Sequence, residues 1–135
     1  MKKEINIAPQ NSIIFIMDIT TGVIPNPELI RQSLVTATSS CVAIGTLCSI
    51  DGETTIILSD EDKVIQNNER LVFEGMLDTP SKLISVCTVL NKPVLKMNVR
   101  DIRSHIQLWA NDVSEPDNIE IIVKYNCVGM GNTEK

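Results

Sequence analysis

Aromatic side chains are nearly missing from this chain of 135 residues, which has one Trp (Trp109), one Tyr (Tyr125) and two Phe (Phe15, Phe73). So few rings argue against a platform of stacked sugars, which needs several apolar ring faces in a row. Histidine is scarcer still, with His105 alone. A lone imidazole with no Ser or Cys nucleophile at a recognisable spacing gives no acid/base constellation. The cysteines Cys41, Cys48, Cys87 and Cys127 form no CxxC pair, so a zinc site lacks its clustered ligands. Each lies in an apolar segment, where a reduced thiol packs as a small hydrophobe.

Runs of one kind are also absent. Twelve Lys and Arg are dispersed among seventeen Asp and Glu, for a net charge of -5 and a pI of about 4.8. Direct nucleic-acid binding needs clustered cations and is excluded. An acidic surface serves solubility and also suits a basic protein partner. No stretch approaches the roughly 20 apolar residues of a membrane span. Residues 1–9 lack the apolar core of a signal peptide, and a reducing, cytoplasmic location is the expectation. The acidic groups Asp60-Glu61-Asp62 and Asp112, Glu115, Asp117 do not match an EF-hand loop. Gly129-Met130-Gly131 lacks the Lys-Ser or Lys-Thr of a phosphate loop. No metal and no cofactor are expected.

What is present is alternation. Leu95, Met97 and Val99 point one way, and Lys96, Asn98 and Arg100 the other; Ile106, Leu108 and Ala110 resume an apolar face opposite His105, Gln107 and Trp109. A period of two is that of strands with one buried side. In this register Trp109 shares the wet face with His105; a slip of one residue would instead put Trp109 in the core. Residues 13–17, Ile-Ile-Phe-Ile-Met, read as a strand covered on both faces or a buried edge. Pro9-Gln10-Asn11 separates it from residues 4–8, which form a second strand or the far side of a bulge. Asp18 follows as a strand-terminating carboxylate.

One helix start stands out. Asn26 caps, Pro27 fits the first helical position and Glu28 favours the positive end of the dipole. Ile30, Leu34, Ala37 and Cys41 follow at spacings of three and four, predicting a helix that ends near residues 38–40. Asp51-Gly52 between apolar runs predicts a hairpin joining residues 41–50 to 54–59. Further strands are expected over 70–77, 82–90, 95–99, 104–110 and 119–125. Asn91-Lys92-Pro93 and a polar loop over 111–118 separate the later ones. The fold class is therefore mainly β, an antiparallel β-sandwich of about seven to nine short strands with one helix in the N-terminal half. Residues 1–135 form one domain, with 1–3 and 129–135 frayed.

The order of these elements resembles that of the small bacterial nuclease-inhibitor proteins of the competence J type, and of immunity proteins. The resemblance spans about residues 13–125: an early strand, the helix, the hairpin, the run through Val99 and Ile102 to Leu108, and the final strand. Where such chains carry a Pro-Gly-type turn before the last strand, this one has Glu115-Pro116-Asp117, and no functional residue is carried over. The resemblance implies a small, acidic, non-enzymatic binder of a nuclease.

The expected function is a non-catalytic protein-binding module of inhibitor or immunity type. It would mask a basic partner, such as a nuclease, by steric and electrostatic occlusion. His105, Trp109, Asp112 and Glu115 are the candidate contact residues. The alternatives are a small-ligand- or carbohydrate-binding sandwich, or a structural homo-oligomer; exposed sheet edges make a homodimer a further expectation.

Overall fold

A computed structural model describes residues 1–30, 32–61 and 70–125. The strands are β1 (Lys2–Ile7), β2 (Ile13–Met17), β3 (Val35–Ala37), β4 (Cys41–Gly45), β5 (Thr54–Ser59), β6 (Arg70–Asp78), β7 (Leu83–Thr88), β8 (Lys92–Asn98), β9 (Arg103–Ala110) and β10 (Asn118–Lys124). One helical turn, α1 (Pro27–Ile30), lies between β2 and β3. The strands form two five-stranded sheets, ordered β1-β5-β10-β9-β6 and β3-β4-β2-β7-β8. All pairs are antiparallel except β5 with β10. No helix among the described residues is long and apolar enough to cross a membrane.

Alternation builds the core. Ile106, Leu108 and Ala110 are buried, whereas His105, Gln107 and Trp109 keep part of their surface. The inward residues of β9 join Ile56, Leu58, Ile119 and Ile121 of the same sheet against Ile14, Ile16, Val42, Ile44, Ile84 and Val86 of the other. β2 is central in its sheet and buried at all five positions. Its outward residues Ile13, Phe15 and Met17 form a second cluster with Cys41, Ala43 and Cys87, onto which Ile19, Ile30 and Val89 pack. The dense apolar run of the sequence thus serves two apolar layers.

The helix and the hairpin depart from the sequence expectation. The helix stops after one turn. Asn26 does cap it, accepting the Glu28 N–H at 2.9 Å, but residues 35–37 are a strand paired with β4. Val35 and Thr36 are β-branched. The hydroxyls of Ser33 and Thr36 bond the carbonyls of Val35 (2.9 Å) and Leu29 (3.2 Å), offering the backbone an alternative to the helical ladder. The Asp51-Gly52 hairpin does not form either, because β4 and β5 lie in different sheets. Asp51 closes a short 3-10 turn, and Gly52 takes φ 142°, ψ -171°, a conformation that needs glycine. The tenth strand, beyond the seven to nine expected, is this β3. Pro93 stands inside β8 rather than ending its neighbour; β8 is an edge strand and Pro93 sits at a register shift, where a missing N–H is tolerated. Pro9 separates two strands of different sheets, with Asn11 and Ser12 at positive φ in the turn.

At the N-terminus, where the composition suggests fraying, Lys2 and Lys3 pair with Ser59 and Leu58 and the Met1 ammonium meets Asp60 at 2.6 Å. Cys127, the Gly129–Gly131 segment, the tail at 129–135 and Asp62 lie outside the described residues.

Asp18 is wholly buried at the end of β2. Its Oδ1 accepts the Thr20 N–H (3.0 Å) and hydroxyl (2.7 Å), and its Oδ2 accepts the Ser81 N–H and hydroxyl, both at 2.7 Å. Burial pushes this carboxyl up, but the bonds from Ser81 and Thr20 outweigh it and hold it below its ordinary value. The carboxylate ties the loop after β2 to the β6–β7 turn, 63 residues away.

Candidate protein-binding surface

The register of β9 decides where the candidate residues go. With Ile106 and Leu108 drawn into the core, His105, Gln107 and Trp109 line the outer face of the first sheet. The edge strand β6 supplies their neighbours: Leu71 beside Trp109, Glu74 beside Gln107, Met76 beside His105. Four polar groups form a chain. The Trp109 indole N–H donates to Gln107 Oε1 (3.1 Å) and the Gln107 amide to Glu74 Oε2 (3.0 Å). His105 Nε2 lies 2.7 Å from the same oxygen. The Gln107 amide first, and His105 next, hold the Glu74 carboxyl below its ordinary range. Leu71 and Met76 remain exposed at the edge of this chain. Ser104 points inward and is bonded to Thr79 (2.8 Å), so it is no partner for His105.

Asp112 and Glu115 stand beyond the end of β9, in the loop leading to β10. Asp112 Oδ2 accepts the Ser114 hydroxyl (2.8 Å), the Glu115 N–H (2.9 Å) and the Ser114 N–H (3.2 Å). The Glu115 N–H is the largest cause of an Asp112 carboxyl held down to about 2. Its first role is to order its own loop; the Glu115 side chain is exposed.

Two backbone bonds attach this loop to another. The Leu47 N–H donates to the Pro116 carbonyl (2.9 Å) and the Thr55 N–H to the Asp117 carbonyl (2.8 Å). The segment joining β4 to β5 therefore lies against the β9–β10 loop at one end of the sandwich. Together they present Asp51, Glu53, Asp112, Glu115 and Asp117, and neither segment, 46–53 or 111–118, contains a Lys or Arg. Ile50 is 89% exposed and Val113 55%. Apolar side chains among carboxylates at a locked loop end can dock a cationic surface.

The four sequence-predicted residues thus fall in two neighbouring places. His105 and Trp109 share a face but lie about 13 Å apart along the strand. Asp112 and Glu115 sit past Trp109 at the acidic end. Ile50, Asp51 and Glu53 were hidden by the hairpin expectation. The available signal was two carboxylates with no base across residues 46–55. Among the described residues no group of three His, Cys, Asp or Glu is placed to hold a metal ion.

No protein-family model matches the chain, and no curated protein matches it in sequence. Solved structures do. The architecture is that of a two-sheet β-sandwich known from a small nuclease inhibitor. That protein is ComJ, inhibitor of the DNA-degrading activity of NucA, from Bacillus subtilis. It superposes with a TM-score of 0.62 over 92% of this chain and 94% of its own, at 11% identity. A second structure, crocagin biosynthetic gene J, matches over 90% and 94% at 12% identity with a TM-score of 0.45. At these identities the likeness to ComJ establishes the fold.

Proposed function

We propose that this protein is a non-catalytic, inhibitor-type module that masks a basic protein partner, such as a nuclease. The observation that carries this reading is the end-to-end likeness of its fold to ComJ. The surface supports it. Five carboxylates and two exposed apolar side chains gather at one end, with Trp109 on the adjoining sheet face. Carboxylates around apolar anchors steer a cationic partner in and then exclude water from the contact. Occlusion needs no chemistry from the module itself.

The test is retention on the immobilised full chain from source-cell extract at low and moderate salt, followed by a DNA-degradation assay of the retained fraction. The expected result is a basic protein released as salt rises, whose degrading activity falls when free module is added back. The variant Asp51→Asn/Glu53→Gln/Glu115→Gln should retain it more weakly, by about tenfold at low salt. Retention of no protein, or of one whose activity the free module leaves unchanged, defeats the reading.

A further inference from the structure

At the end of the sandwich opposite the acidic loops, a cleft of about 420 Å³ is lined by Thr21, Ser40, Asp78, Pro80, Ile102 and Arg103. Its volume falls within the range of small-molecule sites, roughly 300–1,000 Å³. The walls are held from behind. The Asp18 carboxylate bonds both the Thr20 backbone, next to Thr21, and Ser81, next to Pro80. Thr79 bonds the carbonyls of Asp101 (2.8 Å, through its hydroxyl) and Ile102 (2.8 Å, through its N–H). The Asp78 N–H donates to Ser39, next to Ser40 (2.8 Å). Four loops are thereby fixed around one space, as pre-organised sites are.

Its chemistry is dipolar over an apolar floor. Arg103 and Asp78 approach no closer than 3.4 Å (Nε to Oδ1), and their side chains stay 62% and 41% exposed. Each charge is therefore open to a further partner. Ser40, only 9% exposed, accepts the Val23 N–H through its oxygen (3.0 Å). Its own hydroxyl proton has no acceptor among the described residues. Pro80 and Ile102 supply apolar surface, and Ile102 is 61% exposed at the rim.

We infer that this cleft binds a free α-amino acid with a branched apolar side chain. The carboxylate would meet the Arg103 guanidinium and the Ser40 hydroxyl, the ammonium would meet Asp78, and the side chain would rest on Pro80 and Ile102. A zwitterion is the complement of a cation and an anion set side by side; a ligand with one charge leaves half of the pair unanswered. This site is independent of the partner surface at the other end.

The experiment is an amide-resonance titration of the full chain with leucine, and in parallel with 4-methylpentanoate and 3-methylbutylamine, each of which keeps one of its charges. Leucine should shift the amides of residues 21, 40, 78, 79, 81, 102 and 103 with a Kd on the order of 1 mM, and each analogue should bind about tenfold more weakly. Arg103→Gln should weaken leucine by about tenfold and leave 3-methylbutylamine unchanged. Asp78→Asn should weaken leucine similarly and leave 4-methylpentanoate unchanged. Absence of shifts up to about 10 mM leucine overturns the inference, as does equal binding of leucine and both analogues.

Discussion

Replacing Asp18 by Asn tests whether one buried carboxylate organises an end of this sandwich. Two backbone N–H groups and two hydroxyls converge on its oxygens at 2.7 to 3.0 Å. In the amide, one oxygen becomes an NH₂ that cannot accept. The hydroxyl beside it can rotate and accept instead, but the backbone N–H beside it cannot, and is left buried against a donor. That orphan costs about 1–3 kcal/mol, and the remaining bonds fall from charge-assisted to neutral strength. A loss of about 3 kcal/mol follows, which for a chain of this size lowers Tm by about 10 °C. Urea unfolding should show the midpoint falling with the slope unchanged. The pH dependence has a definite sign. The Asp18 carboxyl is held below its unfolded value of 3.8, so its contribution is complete above that pH and is lost as pH falls through the folded value. The gap between wild type and Asp18→Asn should therefore narrow below about pH 4. Ser81→Ala, which removes one hydroxyl and leaves its N–H in place, should cost about 1–2 kcal/mol. An Asp18→Asn protein within about 0.5 kcal/mol of wild type, or a gap that stays constant through the acid range, refutes the argument.

Three further outcomes are expected. A Cβ on Gly22 would lie 2.9 Å from Met17 Cβ and Cγ and closer still to its Sδ, so Gly22→Ala should destabilise by about 1–3 kcal/mol in denaturant unfolding. Burial pushes the thiols of Cys41 and Cys87 up to about 12 and about 11. At pH 8 both should resist a thiol reagent until the chain unfolds, as peptide mapping of the modified protein would show. The Asp112 carboxyl should titrate near 2 by carbon-detected resonance, and the Ser114 and Glu115 amides should move with it. Its loop-ordering contribution is complete above the unfolded value of 3.8 and is lost as pH falls towards 2; a midpoint at the unfolded value would show that the three bonds do not form.

The sheets were legible because their period was. Residues 95–99 and 104–110 alternate strictly, and an edge or central strand with one wet face can satisfy that pattern in one register only. The slip that would have buried Trp109 would also have exposed Leu108, whose side chain is wholly buried in the core. The helix starts where expected, and its length was misread for the opposite reason. The spacing of Ile30, Leu34, Ala37 and Cys41 satisfies a helical period, but one outward stripe cannot outweigh β-branched residues that find a partner strand. That strand, β4, comes later in the chain. Local pattern and tertiary pairing disagreed, and pairing won.

The acidic end of the sandwich was half legible because it is made by topology. Asp112 and Glu115 advertise a polar loop on their own. Asp51 and Glu53 join them only because the chain leaves β4 for the other sheet instead of turning back in a hairpin. Nothing local distinguishes those outcomes, since an Asp-Gly pair serves a type I′ turn and a 3-10 exit equally well. The deciding contacts, from Leu47 to Pro116 and from Thr55 to Asp117, span more than sixty residues. The carboxylates could be counted in the sequence, but their convergence depends on which sheet each strand enters.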